Sequence, residues 1–211
     1  MSPNIAVVDY GMGNLQSVVQ ALRVAAPAGS EVVRTSDPEL VRRADRLVVP
    51  GQGGFRDCAL RLTESGLGDA ILEQLRAGKP YLGICLGLQI LFESSEEAPG
   101  AQGLGWFRGT VKQLVGGPQI KVPHMGWNSL QQMNGGHPLL DAAGGQNAWL
   151  YFVHSFHAAP AEPGVVKASV SHGDNVVTAA VGRDNVLATQ FHPEKSQAAG
   201  IALLRQFLKT S

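Results

Sequence analysis

The chain has 211 residues, 44% of them hydrophobic, which is enough for one substantial core and predicts a single domain over 1–211. Lys+Arg and Asp+Glu both number 17, so the formal net charge is zero and nucleic acid is not an expected partner. No apolar run approaches the ~18 residues of a membrane span. The two cysteines are too few for a disulfide framework and read as free thiols of a cytoplasmic protein.

Met1-Ser2-Pro3-Asn4 lacks the basic start of a secretory leader. Ile5 to Val8 then reads as a buried strand. Leu15, Val18, Val19 and Leu22 follow with the spacing of an amphipathic helix. Val32 to Thr35 predicts a second strand, and Asp37-Pro38 an N-cap with proline at the first helical position. Leu47 to Val49 predicts a third strand, ended by Pro50-Gly51. Helices are expected over Phe55 to Leu62 and Gly68 to Ala77. Tyr81 to Ile84 is a fourth strand, followed by a helix over Leu86 to Glu93. This alternation implies an α/β fold, a mainly parallel sheet with helices on both faces. Beyond Ala98 the pattern turns to short β-like runs: Thr110 to Val115, Leu150 to Val153, Val165 to Val170, Val176 to Val181 and Val186 to Phe191. These predict an added antiparallel portion, with a hairpin turn at His172-Gly173-Asp174-Asn175. A last helix is expected from Ser196 as N-cap, with Ile201, Leu204 and Leu208 as its apolar stripe.

The strongest chemical signal is Gly83-Ile84-Cys85-Leu86-Gly87, where a strand becomes a helix. Glycines on both sides permit a sharp turn that lifts a nucleophile above the sheet edge, and a helix N-terminus favours thiolate. Alone, the motif reads equally as a buried structural cysteine. Cys58 has no such context. A cysteine nucleophile needs an oriented base. Gln190-Phe191-His192-Pro193-Glu194-Lys195 offers one, because residues two apart in extended chain share a side, so Glu194 can hold His192 toward Cys85. The loop Pro50-Gly51-Gln52-Gly53-Gly54 follows a strand, and its backbone N–H groups are candidates to face an oxyanion. Phosphate binding is disfavoured. Gly11-x-Gly13 and Gly51-x-Gly53 meet Gln16 and Arg56 where the dinucleotide fingerprint needs glycine, and no G-K-[ST] occurs. His154-x-x-His157 lacks a third ligand, so no metal is expected. Trp106, Trp127 and Trp149 are scattered and read as core or interface residues.

Taken together, Gly83 to Gln89 and His192 to Glu194 resemble the G-x-C-x-G-x-Q turn and H-P-E of the class I, triad-type glutamine amidotransferases. Val8 to Leu15, Lys121 to Asn128, Tyr151 to Ser155 and Gln190 to Gln197 are similar, more narrowly, to the glutaminase subunits of imidazole glycerol phosphate synthases. The resemblance spans nearly the whole chain. It implies a flavodoxin-like glutaminase domain with Cys85, His192 and Glu194 as catalytic triad and no cofactor. It implies glutamine hydrolysis through a thioester on Cys85, with Gly51, Gln52 and Leu86 at the oxyanion. Gln89 and the backbone of His154, Ser155 and Phe156 would help hold glutamine. It also implies ammonia delivery to a (β/α)₈-barrel cyclase subunit of histidine biosynthesis in a heterodimer, with Asn14, Trp127 and Lys195 at or near the interface. The family's oxyanion loop commonly reads P-G-V-G. Gln52 replaces valine here, and neither residue tolerates positive φ well. The alternatives are a glutaminase serving another synthase, or a non-catalytic regulatory subunit, which would be expected to lose a triad residue.

Overall fold

The computed structural model describes residues 4–118 and 120–209; Met1 to Pro3, read above for a leader, lie outside them. The elements run β1 (Asn4–Val8), α1 (Leu15–Ala25), β2 (Glu31–Thr35), α2 (Pro38–Arg43), β3 (Arg46–Gly51), α3 (Phe55–Glu64), α4 (Leu67–Arg76), β4 (Tyr81–Cys85) and α5 (Leu86–Gln89). There follow β5 (Phe92–Ser95), β6 (Phe107–Gln113), β7 (His124–Ser129), β8 (Gln131–Gln132), α6 (Pro138–Ala142), β9 (Trp149–His154) and β10 (Phe156–Pro160). The chain closes with β11 (Val166–His172), β12 (Asn175–Arg183), β13 (Val186–Thr189) and α7 (Gln197–Phe207).

Successive residues of β1 are buried on opposite faces of one sheet. Ile5 and Val7 join a core with Leu15, Val18 and Leu22 of α1 and Leu203, Leu204 and Phe207 of α7. Ala6 and Val8 join a second core with Phe55, Cys58 and Leu62 of α3 and Leu67 and Ile71 of α4. A strand covered on both faces needs unbroken apolar sequence, which is why Ile5 to Val8 shows no alternation. The main sheet has eight strands in the order β2-β1-β3-β4-β13-β12-β11-β8. The first five are mutually parallel, in flavodoxin-like order, and β12, β11 and β8 extend the sheet antiparallel. Two smaller sheets, β10-β6-β5 and β7-β9, complete the fold. The expected α/β class, with helices on both faces and an antiparallel portion, is the one observed.

Local chemistry explains several boundaries. The Asp37 side chain accepts from Glu39 N, with Pro38 at the first turn of α2. Gly173, at φ +59°, makes the turn between His172 and Asn175, which pair across the β11–β12 hairpin. Three expectations need correction. β3 runs on through Pro50 and Gly51, which pair with Ile84 and Cys85, because its neighbour continues to that level. The helix expected over Leu86 to Glu93 stops at Gln89, since Phe92 to Ser95 pairs with β6 and the Phe92 and Phe107 rings lie 5.8 Å apart. Long-range pairing overrides local helical pattern there. The run Val186 to Phe191 stays in strand only to Thr189. Beyond it, Pro193–Lys195 forms a 3₁₀ turn, and Ser196 precedes α7 without capping it through its side chain.

α7 holds that turn in place by close approach. A Cβ on Gly200 would run into the Pro193 carbonyl oxygen. Gly200→Ala should therefore destabilise the protein by about 1–3 kcal/mol. Gly164→Ala, where a Cβ meets nothing within 4 Å, should stay within about 0.5 kcal/mol of wild type. Urea unfolding midpoints of the two variants check the contrast.

Candidate active site

Three parallel strands end at one level. Gly51 pairs with Cys85 across β3 and β4, and Thr189 pairs with Ile84 across β13 and β4. Residues separated by 107 positions in sequence, Cys85 and His192, are thereby delivered to one rim. Cys85 stands at the β4–α5 junction at φ 55°, ψ −105°, and is 8% exposed. A non-glycine residue held there stores roughly 1–3 kcal/mol of backbone strain. The flanking glycines serve packing, since neither has the positive φ expected of a turn glycine. A Cβ on Gly83 would lie 2.5 Å from the Gly87 carbonyl oxygen, and one on Gly87 would collide with that of Val49. The buried Tyr81 hydroxyl donates to the Gly87 carbonyl at 2.8 Å and fixes the turn.

His192 and Glu194 are almost fully buried, and Nδ1 lies 2.8 Å from Glu194 Oε1. The contact is the one expected from residues two apart, but it forms in a 3₁₀ turn rather than in extended strand. Placing the proton on Nδ1 leaves Nε2 as the basic nitrogen. Nε2 is buried without a hydrogen-bond partner. Burial alone would lower the His192 pKa; the Cys85 sulfur and the Glu194 carboxylate outweigh it and raise the pKa to about 9. Ser196 Oγ donates to the His192 carbonyl at 2.7 Å and accepts from Tyr151 N at 3.0 Å, tying the turn to β9.

A cleft of about 380 Å³ opens over Cys85. Of the residues assigned to the oxyanion and to glutamine, Gln52, Leu86, Gln89, His154, Ser155 and Phe156 line it. Gly51 does not. It borders a small void with Asn14, Pro50, His192 and Glu194, and a Cβ there would collide with the Tyr10 hydroxyl. The positive φ of the loop falls on Gly53, at +109°, and not on Gln52. Two carbonyls of the 154–156 segment are already engaged: Ser155 O accepts from Leu114 N, and Phe156 O from Gln89 Nε2 and His154 Nδ1. Lys195 lines the cleft, with Nζ 5.9 Å from the Tyr151 ring centroid; Trp127, 42% exposed, packs edge-on with the same ring, centroids 6.1 Å apart. Asn14 borders the small void with His192 and Glu194 and donates to Ser17 Oγ.

Sequence reasoning missed two polar residues. Glu97 lines the cleft while its Oε2 accepts from Phe55 N, and no local pattern marks it. Gln190 donates through Nε2 to Cys85 Sγ at 3.6 Å. Its parity with His192 along the chain was the available signal. Cys58, by contrast, is fully buried, and burial pushes its thiol up to about 12. His154 and His157 do not converge: His154 Nε2 meets His124 Nδ1 at 3.0 Å, and no metal-binding cluster forms among the described residues.

The sequence model of the family described as "Glutamine amidotransferase class-I" matches residues 6–210. "Imidazole glycerol phosphate synthase subunit HisH" of Gloeobacter violaceus is 47% identical over 99% of this chain and 90% of its own length. The protein of the same name from Methylococcus capsulatus is 46% identical over 98% and 96%. Among solved structures, PurLQS from Thermotoga maritima gives a TM-score of 0.72 at 19% identity, covering 99% of each chain. The glutaminase domain of Trypanosoma brucei CTPS gives 0.65 at 15%, covering 100% of this chain and 95% of that one. At such identities these two likenesses bear on the fold alone.

Glu194→Gln leaves burial in place and removes the anion, so the His192 pKa should fall below about 9. The sign for stability follows. With its folded pKa raised, protonated His192 adds stability that is fully present below pH 6.5 and is lost as pH rises through about 9. The stability deficit of the variant should therefore be largest at and below neutrality and shrink toward pH 9. Histidine-selective NMR titration and urea unfolding across that range measure both; an unchanged His192 titration would refute the assigned role of Glu194.

Proposed function

The chain belongs to the class-I glutamine amidotransferase family, and from that premise we infer that it is the glutaminase subunit of an imidazole glycerol phosphate synthase. The observation that carries the chemistry is the buried His192–Glu194 pair, whose imidazole interacts with Cys85 where that residue lines the cleft. We propose that Cys85 attacks the carboxamide carbon of glutamine. His192 takes the thiol proton through Nε2 and passes it to the departing nitrogen, so ammonia leaves and a γ-glutamyl thioester remains. Water then gives a proton to His192 and attacks the thioester. The carbon–sulfur bond breaks, glutamate leaves, and the sulfur regains its proton. Glu194 keeps the imidazole in the tautomer that both half-reactions need.

The oxyanion falls to the backbone N–H groups of the Gly51–Gln52 segment and of Leu86. Gln89, Glu97 and the 154–156 backbone hold glutamine. Both Nε2 protons of Gln89 are committed, to Phe156 O and to Gln190 Oε1, so toward substrate it can only accept through Oε1. The Glu97 carboxylate suits the α-ammonium group. The ammonia passes to a (β/α)₈-barrel cyclase of histidine biosynthesis in a cytoplasmic heterodimer, with residues 1–211 as one glutaminase domain. Exposed Trp127 and neighbouring Lys195, joined through Tyr151, together with Asn14, supply contacts to that partner. Among the described residues no helix is long and apolar enough to cross a membrane. Persistence of Cys85, His192 and Glu194 in contact disfavours the non-catalytic alternative.

Cys85→Ala should abolish glutamine hydrolysis with the fold retained, because no neighbour can replace the attacking sulfur. Cys58→Ala should keep near-normal turnover. A folded Cys85→Ala variant with wild-type turnover would overturn the mechanism. Steady-state glutaminase rates should rise from chain alone, to chain with cyclase, to chain with cyclase and its nucleotide ligand. If one oxyanion N–H is turned inward only in the loaded complex, the gain is roughly 10²–10³. Full activity in the isolated chain would refute partner control and leave the amidotransferase chemistry standing.

A further inference from the structure

Gln190 is completely buried one residue beyond β13, yet the mechanism above gives it nothing to do. A buried amide costs free energy unless its polar atoms are bonded, and an apolar side chain of similar shape would fill the same space. Its Nε2 lies 3.6 Å from Cys85 Sγ, and its Oε1 accepts from Gln89 Nε2 at 3.1 Å. The orientation of this amide is fixed by its neighbours. The Phe156 carbonyl oxygen has no proton to give, so Gln89 must present Nε2 to it, at 2.9 Å. The same Nε2 then requires an acceptor from Gln190, which turns Gln190 Nε2 toward the sulfur. A flipped Gln190 would set two amino groups against each other and aim a carbonyl oxygen at the sulfur.

We propose that Gln190 is a catalytic residue of the glutaminase reaction, whose Nε2–H donates to the Cys85 sulfur and stabilises it while anionic, with Gln89 setting its direction. The inference rests on the reading of Cys85 as nucleophile. The sulfur carries an unshared charge twice in the cycle. It does so first when its proton has gone to His192 and the carbon–sulfur bond has yet to form. It does so again when that bond breaks after water has added and the proton has not returned. An N–H donor gains most when its acceptor is charged, so Gln190 acts at those two moments and little on the neutral thiol or the thioester. His192 handles the proton; Gln190 exchanges none. Gln89 thereby acquires a second duty besides holding substrate, because a change in its side chain releases the amide that faces the nucleophile.

The test uses the full chain. Gln190→Met keeps an unbranched side chain of similar length and removes the donor. Alkylation of Cys85 by iodoacetamide, followed by mass spectrometry across pH, reads the reactive sulfur directly, with fully buried Cys58 as internal control. The expected result is a roughly tenfold or larger fall in alkylation rate at neutral pH, the scale of a lost hydrogen bond to a charged group. The pH–rate profile should move to higher pH, and glutaminase kcat should fall. A folded Gln190→Met variant whose alkylation profile superimposes on wild type would overturn the proposal, even if its thermal stability had dropped, because that is the mark of packing alone. Should the variant not fold, the wild-type chain decides. Its Gln190 side-chain amide proton resonances should shift as Cys85 ionises and stop shifting in Cys85→Ala; resonances indifferent to Cys85 would sink the proposal. Failure of the parent reading looks different, since it would appear as turnover surviving in Cys85→Ala itself.

Discussion

The alignment of β3, β4 and β13 at their C-terminal ends is the constraint on which the rest depends. Parallel strands have slanted, evenly spaced hydrogen bonds, so their register decides which residues emerge together at the rim. Here Gly51 stands beside Cys85, and Ile84 beside Thr189. A slip of one residue in β4 would turn Cys85 toward the opposite face of the sheet. Slippage is opposed from both sides. Leu82 and Ile84 face the core that contains α1 and α7, while Tyr81 faces the one that contains α3 and α4. The site is therefore placed by the burial of apolar side chains that take no part in its chemistry.

The strain at Cys85 has to be held by the same packing. A left-handed φ at a residue bearing a Cβ is tolerated only where the surroundings leave no alternative. Gly83 and Gly87 let β4, α5 and the Val49 carbonyl approach to distances that any side chain would prevent. Tyr81 closes the turn from beneath with its hydroxyl on Gly87 O. Its burial, and that of Tyr10, whose hydroxyl donates to Pro50 O at 2.9 Å, ties both loops that flank the sulfur into one core. Rigidity is a condition of the chemistry, since a misplaced nucleophile forfeits the advantage of proximity.

The central sheet was legible in the sequence because strands buried on both faces announce themselves as short apolar runs, as Ile5 to Val8 and Tyr81 to Ile84 do. The residues proposed as the triad stood out for another reason: a glycine-flanked cysteine and a His-Pro-Glu each carry local geometry in their residue types. Failures occurred where distant pairing overrode local pattern. Leu86 to Glu93 has helical periodicity, but Phe92 to Ser95 is claimed by β6, a partner that local periodicity cannot reveal. How the loop after β3 divides was equally hidden: Gly51 borders the small void beside His192, Gly53 lines the cleft, and Gln52 borders both. Glu97 was invisible because its approach to the cleft depends on a bond to the first residue of α3, 42 positions away.

The buried polar groups around the sulfur form two chains that meet there. One runs from Glu194 through His192; the other runs from the Phe156 carbonyl through Gln89 and Gln190. Each is fixed at its far end by a group that can only accept, a carboxylate in one case and a carbonyl oxygen in the other. Glu194 holds the Nδ1 side of the imidazole and so turns Nε2 toward Cys85, while the Phe156 carbonyl holds the Gln89 amide and so turns the Gln190 Nε2–H toward the same sulfur. The anchors come from elements outside the parallel sheet. The Phe156 carbonyl belongs to β10, and His192 N bonds the Tyr151 carbonyl of β9. Tyr151 in turn carries Trp127 and Lys195 on its ring. The corner that carries Trp127 and Lys195, to which the proposed partner contacts are assigned, is thus joined through one strand to the backbone that holds His192.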